Sequence, residues 1–378
     1  MAKHNAIAAV AKGQFEAVQV ETEKPGAGEV LVKVAYASMV TFDTSLNDLG
    51  FGVLEYPAIF GLNAAGTVAE LGPDVSSLVV GDRVTALQTY KHGGRRGTMQ
   101  EYVVLPAFQC AKVPDSVTLD SAATVPDNCI TAFYALFDQL SLPVPITFPV
   151  STPPSNHATP VLVYGAGSTS GQYALQVLHA AGYTNVVATA SPKHHAFLRT
   201  LGATHVFDYA SPTLSADIAR AVGGDGKIPL ALDAISAEGT IARIAKILSP
   251  QGTAAFLLPI KSGDNVTAGE APLYWEIPAD RNPFPPYHHT QICSDLRLCG
   301  GALWFLHAKR LEFILFQNEY LKENLMPKIL PELLASGVIQ PNRVRLLDQG
   351  TFKERVGTGL VLLRDNKING EKVVVKVA

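Results

Sequence analysis

The chain has 378 residues, a formal net charge of −3 and only 17% charged against 47% hydrophobic residues. That length allows two domains, and the near-neutral balance excludes a basic nucleic-acid groove or a polybasic membrane-binding face. No apolar run approaches the ~20 residues of a bilayer span. There is no secretory h-region, and Cys110, Cys129, Cys293 and Cys299 show no C-x-x-C spacing, so a soluble protein of a reduced, cytoplasmic compartment is expected.

Short apolar runs at residues 6–11, 16–20 and 29–37 predict strands, punctuated by the turn pairs Pro25-Gly26 and Ala27-Gly28. Further strands are expected at 66–71, 83–87 and 99–104, separated by Gly72-Pro73 and Gly81-Asp82, and a helical pattern runs from Asp120 to Leu140. Residues 141–160 hold six prolines and no period, which marks a long connecting loop. From Val161 the pattern alternates. Strands at 161–164, 186–190, 205–208, 230–233 and 253–258 enclose helices at 171–181, 194–201, 213–222 and 239–248, the signature of a parallel sheet covered on both faces. Residues 262–290, with Tyr274, Trp275, Phe284 and Tyr287, read as an excursion that could cap an apolar pocket. A strand at 293–299 and a helix from Ala302 to Glu319 close this region, and the tail (helices at 326–336 and 351–364, a strand at 372–377) returns to the character of the first. The economical topology inserts a doubly wound α/β domain, 130–309, into a β-rich domain of residues 1–129 and 310–378.

The stretch Val161-Leu162-Val163-Tyr164-Gly165-Ala166-Gly167-Ser168-Thr169-Ser170-Gly171 is a strand entering a turn of small residues that opens a helix. Such a turn lets a pyrophosphate approach backbone N–H groups at a helix N-terminus. The last glycine interval is one residue longer than in G-x-G-x-x-G, so the motif alone leaves a ligand-free tight turn open. The next strand ends in Ser191-Pro192-Lys193-His194-His195, where an NAD-selective site carries Asp or Glu for the ribose 2′-hydroxyl. A hydroxyl and a cation in that place favour NADPH, although a solvated helix start reads the same way.

These residues, with Pro25-Gly26-Ala27-Gly28-Glu29-Val30-Leu31-Val32-Lys33-Val34, Gly61-Leu62-Asn63-Ala64-Ala65-Gly66-Thr67-Val68, Val80-Gly81-Asp82-Arg83-Val84, Ala122-Ala123-Thr124-Val125-Pro126 and Thr131-Ala132-Phe133-Tyr134-Ala135-Leu136, resemble the medium-chain dehydrogenase/reductase superfamily along nearly the whole chain. Within it the turn and Ala190-Ser191-Pro192-Lys193 look most like zinc-free fungal reductases, a branch that includes trans-acting enoyl reductases of polyketide assembly and lies near the quinone oxidoreductases. The resemblance implies an α/β fold with a GroES-like β-barrel domain and a Rossmann domain. Leu62 and Asn63 replace the His-Glu pair of the zinc enzymes' G-H-E-x-x-G motif, and no cysteine lies between Ser38 and Asp43. Leucine cannot ligate and an amide is a poor zinc ligand. The adjacent pairs His194-His195 and His288-His289 lack a third ligand in sequence view, so no metal is expected.

Without a Lewis acid, alkoxide chemistry loses its usual support, whereas reducing a C=C bond conjugated to a carbonyl needs hydrogen bonds and a proton. The resemblance therefore implies an NADPH-dependent reductase of enones, enals or acyl thioesters. The alternatives are a quinone oxidoreductase or a low-turnover accessory protein that binds NADPH. By motif match Gly165, Gly167, Ser168, Thr169 and Ser170 line the pyrophosphate. Ser191, Lys193 and His194 meet the 2′-phosphate, Tyr209 lies near it, and Leu258 and Pro259 pass the nicotinamide. Thr131 reaches the nicotinamide's carboxamide or ribose. Asp43 and Ser45 belong to a stretch that borders the nicotinamide in relatives, with Ser45 in place of a lysine. Asn63 and Asn128 are further polar candidates. The expected partners are a small enone, enal or quinone and a polyketide synthase carrier domain, with neither nucleic acid nor membrane. The chain is expected to be a monomer, or a homodimer joined along the strand Ile292 to Leu298.

Overall fold

Runs rich in valine and isoleucine commit much of the first hundred residues to strands, because such side chains pack well on a half-buried pleated surface. The structure, a computed structural model, describes residues 2–88, 96–145, 147–223, 227–236, 239–257, 267–268, 271–272, 297–299 and 319–377. Two compact units divide the chain, Met1–Ile130 with Ala308–Ala378, and Thr131–His307.

In the first unit β1 (Lys3–Ala11) pairs with β2 (Gln14–Glu21) and β4 (Ala58–Ile59). The longest strand, β3 (Glu29–Met39), pairs antiparallel with β5 (Asn63–Leu71), β7 (Tyr102–Pro106) and the C-terminal strand Glu371–Lys376. Beyond β5 lie β6 (Arg83–Leu87) and β8 (Cys110–Lys112). Val30, Val32, Val34, Ala37 and Met39 of β3 are buried, so this strand is the spine of the unit. Besides the short strands β4 and β8, two elements of this unit depart from the sequence reading. A helix, α1 (Thr41–Leu49), follows β3, closed by Gly50 in the left-handed region at φ 67°. A five-residue edge strand, Arg343–Leu347, runs parallel to Glu371–Lys376; its two arginines and mostly exposed surface hid it.

The second unit holds one parallel sheet of six strands. These are β9 (Val161–Tyr164), β10 (Val186–Ala190), β11 (His205–Asp208), β12 (Ile228–Asp233), β13 (Leu248–Phe256) and the segment Arg297–Cys299. They lie in the order β11-β10-β9-β12-β13-(297–299), the doubly wound order in which direction reverses beside the first strand. Helices α4 (Thr169–Ala180), α5 (His195–Thr200), α6 (Leu214–Val222) and α7 (Thr240–Ile247) fall where the periodicity places them. Leu162, Tyr164, Val187, Ile218, Ile244 and Phe256 meet in one buried cluster between the sheet and its helices. The expected loop at 141–160 contains no helix or strand among its described residues. The excursion at 262–290, apart from two short strand pieces at 267–268 and 271–272, and the helix from Ala302 lie outside the described residues.

Candidate functional site

The chain must reverse directly after β9 to enter α4. Gly165 does so at φ 76°, which a side chain would disfavour. Its N–H donates to Thr189 Oγ1 at 3.0 Å, and the Ala166 N–H donates to the Thr189 carbonyl at 2.9 Å, so β10 braces the turn from the side. Ser168 is the N-cap of α4, its Oγ accepting from the Gly171 N–H at 3.1 Å. A Cβ on Gly171 would stand 2.6 Å from the Gly165 carbonyl oxygen and 2.7 Å from Ala166 Cα. That glycine therefore lets α4 press onto the turn, and the longer glycine interval performs the same task as the six-residue fingerprint. Gly165, Gly167, Ser168, Thr169 and Ser170 come together half-buried at the start of a twelve-residue helix. Its dipole and first N–H groups suit the pyrophosphate of a dinucleotide.

One strand over, Ser191 leads into the short turn Pro192–His194. Lys193 is exposed, and no carboxylate occurs between Ser191 and His195. His194 is instead buried, and a Cβ on Gly167 would lie 3.3 Å from its Cδ2, so its ring walls the glycine turn. His195 Nε2 donates to the Ala190 carbonyl at 3.0 Å. Tyr209, just beyond β11, leaves 43% of its surface open. Leu258 and Pro259 lie outside the described residues.

Asp233 was not singled out by sequence, although it ends β12 at the same edge of the sheet. Its Oδ1 accepts from the Ile235 and Ser236 N–H groups at 3.0 and 2.9 Å, and its Oδ2 from the Thr240 hydroxyl at 2.5 Å. Burial raises its pKa against these bonds. The carboxylate ties the turn after β12 to the start of α7, and the Ile235 side chain lies over Gly165. The only hint in the sequence is an acid directly following Leu230-Ala231-Leu232.

The first unit carries a buried polar cluster. Asp43 of α1, fully buried, accepts from the Val40 and Gly61 N–H groups at 2.8 and 2.9 Å, which fastens α1 to the turn before β5. Burial lifts its pKa to about 6, against those two N–H groups and the Lys372 charge, which pull it down. The geometry makes Asp43 a positioning residue, with both oxygens occupied. Asn63 Oδ1 accepts from the Asp127 N–H at 2.9 Å, and its Nδ2 donates to Ser38 Oγ at 3.1 Å. Asp127 also pairs with the buried Lys372 of the last strand. Lys372 has its pKa lowered by burial, with Asp127 and Asp43 acting the other way. After the single-turn helix α2 (Leu119–Ala122), Asp127 opens α3 (Pro126–Phe133), the helix that bears Thr131, and a π-helical stretch, Tyr134–Gln139, continues it. Ser45 is half-buried on α1, its hydroxyl 3.4 Å from the Thr41 carbonyl, and Thr131 is buried. Cys110 and Cys129 are buried thiols pushed upward in pKa, Cys110 to about 12, so neither is poised as a thiolate.

A zinc ion does not fit this donor set. Leu62 offers no lone pair, both polar atoms of the Asn63 amide are committed, and Asp127 is neutralised by an ammonium. No group of three or more metal-ligating side chains occurs among the described residues.

Two family models match the chain: the alcohol dehydrogenase GroES-like domain over residues 26–115, and the zinc-binding dehydrogenase domain over residues 171–258. The chain is 37% identical over 190 residues to the trans-enoyl reductase himH of Aspergillus japonicus, which covers 49% of this chain and 53% of that one. It is 34% identical over 212 residues to the trans-enoyl reductase tazE of Aspergillus terreus, covering 54% and 68%. The chain thus spans about half the length of himH. In fold it resembles a putative zinc-dependent alcohol dehydrogenase from Rhizobium etli (TM-score 0.73, 20% identity, 99% of this chain and 98% of the other). It likewise resembles the CurK enoyl reductase (TM-score 0.70, 20% identity, 99% of both).

Proposed function

Because this chain belongs to the medium-chain dehydrogenase/reductase superfamily, we propose that it is an NADPH-dependent, zinc-independent reductase of C=C bonds conjugated to a ketone, aldehyde or thioester carbonyl. The observation that carries the cofactor choice is the end of β10. There Ser191 and the exposed Lys193 stand where a carboxylate would repel a 2′-phosphate. A bound dinucleotide supplies a hydride. The turn Gly165–Ser170 holds its pyrophosphate, and Tyr209 stands beside the adenosine end. Thr131 and Ser45 are the hydroxyls proposed to orient carboxamide and substrate carbonyl, while Asp43 and the Asn63–Asp127–Lys372 cluster keep α1 and α3 in place. Similarity to trans-enoyl reductases supports acyl thioesters, presented by a carrier domain, as the substrate class.

The test is incubation of the purified protein with NADPH and a panel of enones, enals, acyl thioesters and quinones, followed by product analysis. Saturation of a C=C bond in a carbonyl-conjugated substrate is the expected result. Firm cofactor binding with every C=C bond intact refutes it, and turnover of quinones alone assigns the chain to quinone reduction.

A further inference from the structure

One cation of the second unit is fixed in place yet unspent. Arg243 of α7 is exposed, and its Nη1 donates to the Tyr209 carbonyl at 2.8 Å and more weakly to the Tyr164 hydroxyl at 3.4 Å. Tyr164 ends β9 and Tyr209 follows β11, the strands on either side of β10. Ala190 and Asp208 are register partners that end these two strands, so Ser191 and Tyr209 leave the sheet from neighbouring positions on its edge. The guanidinium is therefore anchored beside the edge where Ser191 stands.

A single nitrogen makes both bonds. Nε and Nη2 make no hydrogen bond, and Arg243 no ion pair, among the described residues. The carboxylates of this edge are engaged elsewhere. Asp233 is buried and bonded to Ile235, Ser236 and Thr240, and Asp208 Oδ1 accepts from the Ala210 N–H at 3.0 Å. What remains is a planar fork of donors with uncompensated charge, held still at its base. A phosphomonoester dianion matches such a fork in charge and geometry.

We propose that Arg243 is a cofactor-specificity residue: it steadies the Tyr209 turn and offers its free donors to the dinucleotide's 2′-phosphate, beside Ser191 and Lys193. This rests on the NADPH reading above and adds to it a residue from a different helix, fifty positions further along the chain.

Equilibrium binding of NADPH, NADH, 2′,5′-ADP and 5′-ADP to the wild-type protein, R243Q and R243K tests it. R243Q is expected to bind NADPH and 2′,5′-ADP at least tenfold more weakly, and NADH and 5′-ADP within twofold of wild type. R243K, which keeps the charge but loses the fork, falls between. Equal weakening of all four ligands overturns the proposal, because Arg243 then serves the adenine or the fold. An unchanged NADPH affinity overturns it as well. Wild-type protein that binds NADH as tightly as NADPH refutes the cofactor reading itself, and this is seen before any substitution is made.

Discussion

Replacing Asp43 by asparagine isolates the cost of a buried charge. Asp43 is fully buried, and its pKa stands at about 6 against 3.8 for an ordinary aspartate, chiefly because burial disfavours the charged form. The folded protein thus holds this proton more tightly than the unfolded chain. The associated stability is complete below pH 3.8 and is lost as the pH rises through about 6. At about 1.4 kcal/mol per pH unit the loss amounts to ~3 kcal/mol. Asparagine carries no charge at any pH, but its single carbonyl can accept from only one of the Val40 and Gly61 N–H groups, and the other loses its partner at a pH-independent cost of about 1–3 kcal/mol. D43N should therefore be less stable than wild type near pH 4 by about that cost, and its stability relative to wild type should rise by up to ~3 kcal/mol between pH 4 and pH 7.5. Urea denaturation of both proteins at half-unit steps from pH 4 to 7.5 measures the gap. A difference that stays constant, or that moves against D43N as the pH rises, refutes the assignment of burial as the dominant influence on this carboxylate.

Lys372→Met leaves Asp127 buried without its counter-ion and should cost about 3–5 kcal/mol, while adding Asp127→Asn should restore a large part; thermal melts of the single and double variants check both. Gly171→Ala drives a methyl group into the Gly165 carbonyl and Ala166, so α4 must move off the turn. The expected result is a loss of NADPH affinity exceeding tenfold in a protein with an unchanged far-ultraviolet circular dichroism spectrum. Ser168→Ala removes the cap on the Gly171 N–H and should destabilise by ~1 kcal/mol, read as a lowered denaturation midpoint.

The parallel sheet was legible because each strand is a short apolar run and each helix carries its own period. Val161–Tyr164, Val186–Ala190 and His205–Asp208 were marked to the residue. Helix α1 was not, since Thr41-Phe42-Asp43-Thr44-Ser45 has little helical period and its stability comes from the Asp43 bond to Val40 and the Gly50 stop. The same limit applies to function. Glycines and the residues after β10 announce themselves by spacing, and Asn63 by the motif it disrupts. Lys372 and Asp233 act through partners 245 and 7 residues away, and Arg243 through a carbonyl 34 residues away. No local pattern records such distances. A lysine in Glu371-Lys372-Val373-Val374-Val375 reads as a solvated strand end until the fold places Asp127 against it.

The cluster around Asn63 explains why a chain matched by a zinc-binding dehydrogenase model need not keep a metal to keep the fold. A metal site is an array of lone pairs left unsatisfied by the protein so that an ion can complete them. Here each corresponding demand is met internally. The amide of Asn63 bridges Ser38 on β3 and the first turn of α3, and Lys372 answers the carboxylate of Asp127. Restoring a histidine at Leu62 alone would accordingly create a ligand without a site, because the neighbouring acceptors are held in bonds whose loss leaves buried polar groups unpaired at about 1–3 kcal/mol each. Zinc acquisition would require Asn63 and Lys372 to change with it.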